Sequence, residues 1–380
     1  MLLACLAALL YGAYRGGLLE LISTNAAAQF TYLGIGVLYF ACGAPSLAES
    51  AITACGGLAI LWLCPVAHPS DFVGEALVRA GAFVGVATVA ALSARAILGR
   101  KGDAAGDTLA RSLIFIVLGI TLGTMLSAAS RMRPYKYDLF LYAIDARFGA
   151  AISFAAGRLL NGIGWLRQLE ICIYHALPLA FAILYAAHIR RSEAGSAEIL
   201  IMMCLNAVLG YGLYFVYPAA GPWYTFGAAF PNAPPAAQQL SLHPVLLDAP
   251  PNAMPSLHLA GAVLIWWNAR YWRLGWLAAL AFLILTAIAT LGLGEHYFLD
   301  LVVALPYALA IQAAAVRSTR RRLAGLLVGI AMTAGWLGAL AWLPAGLLKA
   351  PVWLMWALAG VSVGVPATIA AVPSRARIAA

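Results

Sequence analysis

Charge is scarce in this chain. Of its 380 residues only 10% are Asp, Glu, Lys or Arg, against 64% hydrophobic. A soluble globular chain is about a quarter charged and about half apolar, so this composition excludes an ordinary water-facing surface. The surplus apolar residues come in long runs repeated along the chain, which points to membrane-spanning helices. Cysteine is sparse too. Cys5, Cys42, Cys55, Cys64, Cys172 and Cys204 all fall in apolar runs and form no CxxC pair. They read as small buried hydrophobes, neither ligands nor disulfides. Met1 to Cys5 lacks the basic region of a cleaved signal peptide, so the first apolar run is expected to be retained. The chain also lacks GxGxxG, Walker and HExxH sequences and any repeat of fixed period.

What is present predicts an all-α integral membrane protein of about twelve transmembrane helices. The expected spans are 2–22, 30–44, 51–67, 72–98, 112–129, 168–188, 198–220, 256–272, 274–293, 297–316, 323–343 and 351–371. The formal charge of +9 would suggest nucleic acid in a soluble chain. Here the basic residues cluster between apolar runs, at Arg95–Arg100–Lys101–Arg111, Arg190–Arg191, Arg270–Arg273, Arg317–Arg320–Arg321–Arg322 and Arg375–Arg377. They act as topology determinants, so no nucleic-acid partner is expected. Placing both termini in the cytoplasm puts nearly all these clusters on the cytoplasmic side. The proline-rich segment 219–255 then lies on the opposite, periplasmic, extracellular or lumenal side. Linker 130–167 falls there as well, although it carries Arg131, Arg133, Lys136, Arg147, Arg158 and Arg167. Part of it, around Leu139–Trp165, reads as amphipathic helices along the interface. Its basic residues bind either anionic headgroups or a phosphate in the site.

The chemistry concentrates between Pro255 and Asp300. The segment opens Pro255-Ser256-Leu257-His258 and closes Glu295-His296-Tyr297-Phe298-Leu299-Asp300. Between them the chain crosses the membrane and returns, so both ends reach one face. His296 and Asp300, spaced i, i+4, share a helix side. The carboxylate is expected to accept from one ring nitrogen and leave the other as nucleophile or base. His258 is a second titrating group, suited to a general acid. Ser256 opens a helix behind Pro255, where backbone N–H groups can bind an anion. A nucleophile, an acid and an anion cradle suit phosphoryl transfer through a phosphohistidine, with no metal and no other cofactor expected. A zinc site of His258, His296 and Asp300 with Glu295 as base is the alternative; Glu295 adjoins His296 and is expected to point elsewhere. His243 reads as plain loop, and His68, His175 and His188 as structural.

These residues resemble the type 2 phosphatidic acid phosphatase (PAP2) superfamily. Its Pro-Ser-Gly-His motif is similar to residues 255–258, and its His-x-x-x-Asp motif to 296–300. Leu257 in place of Gly, and His296-Tyr297, look more like the inositol phosphorylceramide synthase and sphingomyelin synthase branches. Tyr217-Pro218-Ala219-Ala220-Gly221-Pro222-Trp223-Tyr224 resembles the Pro-Pro-Trp-Tyr element of the first of these. Tyr137-Asp138 through Asp145-Ala146-Arg147-Phe148-Gly149 looks like a segment of bacterial relatives.

The resemblance implies His296 as nucleophile, Asp300 as its orienting partner, His258 as acid and Ser256 as a phosphate contact, with Tyr214 and Tyr224 as further substrate contacts. It implies a six-helix PAP2-like core within 112–316, preceded by about four helices in 1–111 and followed by two helices and a basic tail in 317–380. It also exposes departures. The family's first motif carries a Lys and an Arg-Pro, which Tyr211–Pro222 lacks, and the Arg expected six residues before His296 is Thr290. A buried phosphate needs charge compensation. Either Arg131, Arg133 and Lys136 supply it, or the substrate is a singly charged phosphodiester. The expected partners are therefore a lipid phosphate or phosphodiester, a hydroxyl acceptor and the bilayer; the oligomeric state is open. The competing expectations are a simple lipid phosphate monoesterase and, from another class, a proton-coupled transporter.

Overall fold

The computed structural model describes residues 17–64, 74–98, 104–191, 195–316 and 319–371. Most of the expected span 2–22, together with Cys5, His68, Arg100, Lys101, Arg317, Arg375 and Arg377, lies outside them. The described chain is almost entirely helical and divides into two compact units. The first comprises 1–121 and 175–196, the second 122–174 and 197–380.

In the first unit, α1 (Leu18–Thr24) leads into α2 (Ala26–Cys42), which starts where Asn25 accepts from the Ala28 N–H. Next come α3 (Leu47–Leu63), α4 (Glu75–Leu98), the first part of α5 (Ala105–Met132) and α9 (Leu177–Arg190). Helix α2 packs on α4 and α9, and α4 on α3. The α2–α4 contact is close because Gly85 faces the Tyr32 carbonyl; a Cβ there would lie 1.9 Å from that oxygen. Small residues at a helix crossing let backbones approach where dispersion is the main attraction.

The second unit holds α6 (Asp138–Asp145), α7 (Ile152–Gly162), α8 (Gly164–His175), α10 (Ser196–Val216), α11 (Pro222–Phe226), α12 (Leu257–Asn268) and α13 (Arg273–Gly292). It continues with α14 (Phe298–Ala315), α15 (Thr319–Trp342), α16 (Pro344–Lys349) and α17 (Val352–Ala371). Helix α14 is the hub: it packs against α6, α12, α15 and α17 and is buried over most of its length. A two-stranded antiparallel ribbon pairs β1 (Tyr135–Lys136) with β2 (Val245–Leu246), Tyr135 opposite Leu246. The ribbon fastens the proline-rich segment to the chain that enters α6.

This is a multi-pass membrane protein. Among the described residues seven helices are long and apolar enough to cross a bilayer, namely α4, α5, α10, α13, α14, α15 and α17. The number rises to nine if the bent pairs α6–α7 and α8–α9 each count as one span. Every expected span from 30–44 onward overlaps a helix or a bent pair, but about twelve is not reached among the described residues, because 2–22 lies mostly outside them and three helices are short. Helices α2, α3 and α12 are apolar but short. The 12 residues of α12 rise only about 18 Å at 1.5 Å each, less than the roughly 30 Å of a hydrocarbon core. It ends at Asn268, whose side chain exchanges hydrogen bonds with Gln312 at 2.7 and 3.3 Å.

In linker 130–167 the expected amphipathic helices are present and turn one side into the second unit. Helices α6 and α7 meet at 87°. Asp138, Leu141, Ile144, Asp145, Ser153 and Phe154 are all buried inside the second unit. A helix whose acids are inside needs partners for them, and those partners build the site.

Candidate active site

The two motif segments meet because the start of one helix is tied to the start of another. Ser256 N-caps α12, its Oγ accepting from the Leu259 N–H at 3.3 Å. Its own N–H donates to the Asp300 carbonyl in the first turn of α14, at 3.1 Å. His258, in the first turn of α12, therefore faces His296, two residues before α14. Their ring centroids are 6.3 Å apart at 63°.

His296 is completely buried. Its Nδ1 lies 2.8 Å from the Ala253 carbonyl oxygen and 3.6 Å from Asp300 Oδ2. With two acceptors on that side, the ring proton belongs on Nδ1 and the lone pair on Nε2. Nε2 is buried and has no hydrogen-bond partner among the described residues. One detail of the expected arrangement is corrected here. At 3.6 Å the Asp300 carboxylate is beyond hydrogen-bond distance, and the backbone carbonyl takes the Nδ1 proton. Asp300 Oδ2 instead accepts the Tyr297 N–H at 2.7 Å, in a reciprocal cap at the start of α14. Asp300 thus contributes charge beside the imidazole, while Ala253 sets its orientation.

Two aspartates that sequence reasoning passed over hold this geometry. Asp138 accepts from the N–H groups of Ala220 and Gly221, the latter at 2.7 Å, and from the Tyr297 hydroxyl at 3.1 Å. It joins α6, the turn before α11 and Tyr297, the residue after His296. Asp145 accepts from the N–H groups of Phe298 and Leu299 at 2.6 and 2.9 Å, capping α14. An acid at a helix N-terminus satisfies orphan donors and complements the helix dipole. Ser153 completes the frame, donating to the His296 carbonyl at 3.0 Å. One sequence signal was available: Asp138 and Asp145 stand seven apart, on one face of a helix.

The turn held by Asp138 tolerates little. Gly221 has φ 105°, and a Cβ on it would lie 2.5 Å from the Glu295 carbonyl oxygen. Gly221→Ala is therefore expected to displace Glu295 and His296 and cut any turnover at this site at least tenfold; an activity assay on the purified variant checks this.

Glu295 points away from His296, as its position in sequence suggests. Its Oε2 accepts from Asn252 Nδ2 at 2.9 Å and from the Tyr174 hydroxyl at 3.5 Å. Burial pushes its carboxyl pKa up, against the opposing pull of Asn252, His296 and Tyr174. The Tyr174 ring stacks on His258, centroids 3.9 Å apart and planes within 22°. Tyr211, Tyr214 and Tyr224 all lie within electrostatic range of Tyr174. Tyr214 and Tyr224, the expected substrate contacts, are thus near Tyr174, whose ring stacks on His258. Among the described residues no three His, Cys, Asp or Glu side chains are grouped to hold a metal ion.

The basic residues proposed as phosphate ligands make other contacts than to the histidines. Arg131 is exposed and Arg133 half-buried. Lys136 is fully buried, its Nζ donating to the Arg133 carbonyl. Burial pushes its pKa down, while Asp138 and Asp248 pull it up. The strand that carries it is held beside the site: Tyr137 donates to the Pro218 carbonyl at 2.9 Å and stacks on Tyr217 at 4.9 Å. No hydrogen bond or ion pair links Arg131, Arg133 or Lys136 to His296 or Asp300. Arg147 and Arg158 direct donors to the carbonyls of Ala350 and Pro231. Ser256 likewise commits its hydroxyl to a cap and its N–H to Asp300.

A family model described as the PAP2 superfamily matches residues 139–314, a little under half of the chain. The match covers His258, His296 and Asp300 and points to phosphatase or phosphotransferase chemistry on lipid phosphates. No curated protein and no solved structure matches the chain.

Proposed function

We propose that this protein is a membrane lipid phosphotransferase or phosphatase, and that it transfers a phosphorylated headgroup between lipid or polyprenyl substrates in preference to hydrolysing a phosphate monoester. The observation that carries the reading is His296: a buried imidazole with its proton held on Nδ1, its Nε2 unpartnered, and a second imidazole 6.3 Å away.

The reaction follows from that placement. Nε2 of His296 attacks phosphorus as the bond to the leaving oxygen breaks, and His258 gives that oxygen its proton. The imidazole becomes cationic as its N–P bond forms, and the Asp300 carboxylate 3.6 Å from Nδ1 stabilises that charge. In the second half His258 takes the proton of an acceptor hydroxyl. The hydroxyl oxygen attacks phosphorus, the N–P bond breaks, and its electron pair returns to Nε2.

The preference for a phosphodiester rests on charge. A monoester dianion in a water-poor site calls for cations beside it, and among the described residues no Lys or Arg bonds to His296 or Asp300. A phosphodiester carries a single charge. The positive-inside pattern of the linkers supports placing the site on the periplasmic, extracellular or lumenal face, with both termini cytoplasmic.

The test is direct. Purified protein in vesicles with a phosphodiester lipid and a hydroxyl lipid acceptor is expected to exchange headgroup faster than it releases inorganic phosphate from phosphatidic acid. The opposite ranking makes it a monoesterase, and neither product from any lipid phosphate rejects the reading. Neutralising Arg131 and Arg133 together is expected to raise KM about tenfold if they gather the anionic substrate; unchanged kinetics assign them to lipid headgroups.

A further inference from the structure

Segments 252–253 and 295–296 are laced side by side. The Ala253 carbonyl accepts from His296 Nδ1, and Asn252 Nδ2 donates to Glu295 Oε2. The first contact sets the nucleophile. The second leads, through the same carboxylate oxygen, to the Tyr174 hydroxyl and so to the ring stacked on His258. Each histidine is thus held from the same pair of neighbouring residues, one by backbone and the other by side chains.

We propose that Asn252, Glu295 and Tyr174 form a positioning relay that holds the His258 imidazole, and with it the proton for the leaving group, in line with His296. The relay deepens the transfer reading above and rests on it for its kinetic consequence. Its geometry is specific. A parallel stack at 3.9 Å restrains rotation of the His258 ring plane, which no hydrogen bond to a ring nitrogen does alone. The Asn252 amide holds the buried carboxylate at 2.9 Å, and the Tyr174 hydroxyl reaches the same oxygen over a long 3.5 Å contact. Glu295 and Asn252 touch neither phosphorus nor the leaving oxygen in this scheme. They act through Tyr174.

A relay that positions only the acid has a signature that a structural role lacks. In the first half-reaction, departure of a leaving group that needs no proton does not depend on it. The experiment compares single-turnover release of the leaving alcohol from two phosphodiester lipids, one alkyl and one p-nitrophenyl, in wild type, Glu295→Ala, Asn252→Ala and Tyr174→Phe. For Glu295→Ala the expected result is a loss of about 10- to 100-fold in that release rate on the alkyl ester, within the range of general acid catalysis. The loss on the nitrophenyl ester is expected to stay below about threefold. Tyr174→Phe keeps the ring, loses the hydroxyl, and is expected to show the same pattern more weakly. Equal losses on both esters, or none on either, overturn the relay.

A second measurement does not depend on turnover. In protein labelled at the histidine ε1 carbon, the His258 resonance feels the ring current of Tyr174. Glu295→Ala is expected to move it toward its position in Tyr174→Ala, and an unmoved resonance overturns the relay. Wild type inactive on both esters with a moved resonance rejects the transfer reading and leaves the relay standing. The two failures are thereby distinguished.

Discussion

His296→Ala is expected to lower turnover by about four orders of magnitude or more while the protein still inserts and purifies in normal yield. The size follows from the role. A nucleophile that forms the intermediate leaves almost no reaction behind when removed, as nucleophile knockouts of covalent enzymes do. Folding is expected to survive, although His296 is buried. Its ring makes one hydrogen bond, to a carbonyl, and an alanine there removes an imidazole without leaving a buried charge. Asp300 loses a neighbour at 3.6 Å but keeps the Tyr297 N–H that caps the helix. Two measurements check this together: headgroup transfer, and acid-labile labelling of the protein from a lipid carrying radioactive phosphorus in its headgroup. Wild type is expected to label and His296→Ala to stay blank. Labelled His296→Ala protein would move the nucleophile elsewhere, with His258 the first place to look.

Asp138→Ala has the largest expected effect on folding. Removing the carboxylate strands the N–H groups of Ala220 and Gly221 and the hydroxyl of Tyr297 in a dry interior. Unsatisfied buried groups cost about 1–3 kcal/mol each and do not add strictly, so a loss of roughly 3 kcal/mol or more is expected. Asp138→Asn retains an acceptor and is expected to lose less. Asp145→Ala removes a helix cap, usually worth about 0.5–2 kcal/mol, and ranks below Asp138→Ala. Thermal unfolding of the detergent-purified variants gives the order. Asp145→Ala proving the more damaging would shift the main fastening from the Ala220–Gly221 turn to the start of α14.

Comparing the two sets of residues shows what a sequence exposes and what it hides. His258, His296 and Asp300 were legible because side-chain types at helical spacing carry their chemistry with them. Asp138 and Asp145 were present in the text too, but their partners are backbone N–H groups far along the chain, and a backbone group has no letter of its own. The same reason hid the Ala253 carbonyl, which takes the Nδ1 proton that the i, i+4 spacing had assigned to Asp300. Helix identity was similarly clear and helix length was not. Residues 256–272 read as one span, yet the helix closes at Asn268, just before Arg270, and the Asn268 side chain pairs with Gln312 on α14. The 138–162 pair is legible as amphipathic, but the inward placing of its acids is not, because their donors lie far along the chain. Glu295 was visible as a carboxylate, but its partners Asn252 and Tyr174 lie 43 and 121 residues away.

The reach of the Asp138 contacts bears on biosynthesis. Its donors lie 82, 83 and 159 residues further along the chain. A ribosome therefore delivers α6 into the membrane well before anything exists to neutralise its two carboxylates. Synthesis past Leu299 supplies the last donors to both Asp138 and Asp145, and the same few residues bring His296. The last donors to both aspartates and His296 thus reach the membrane together.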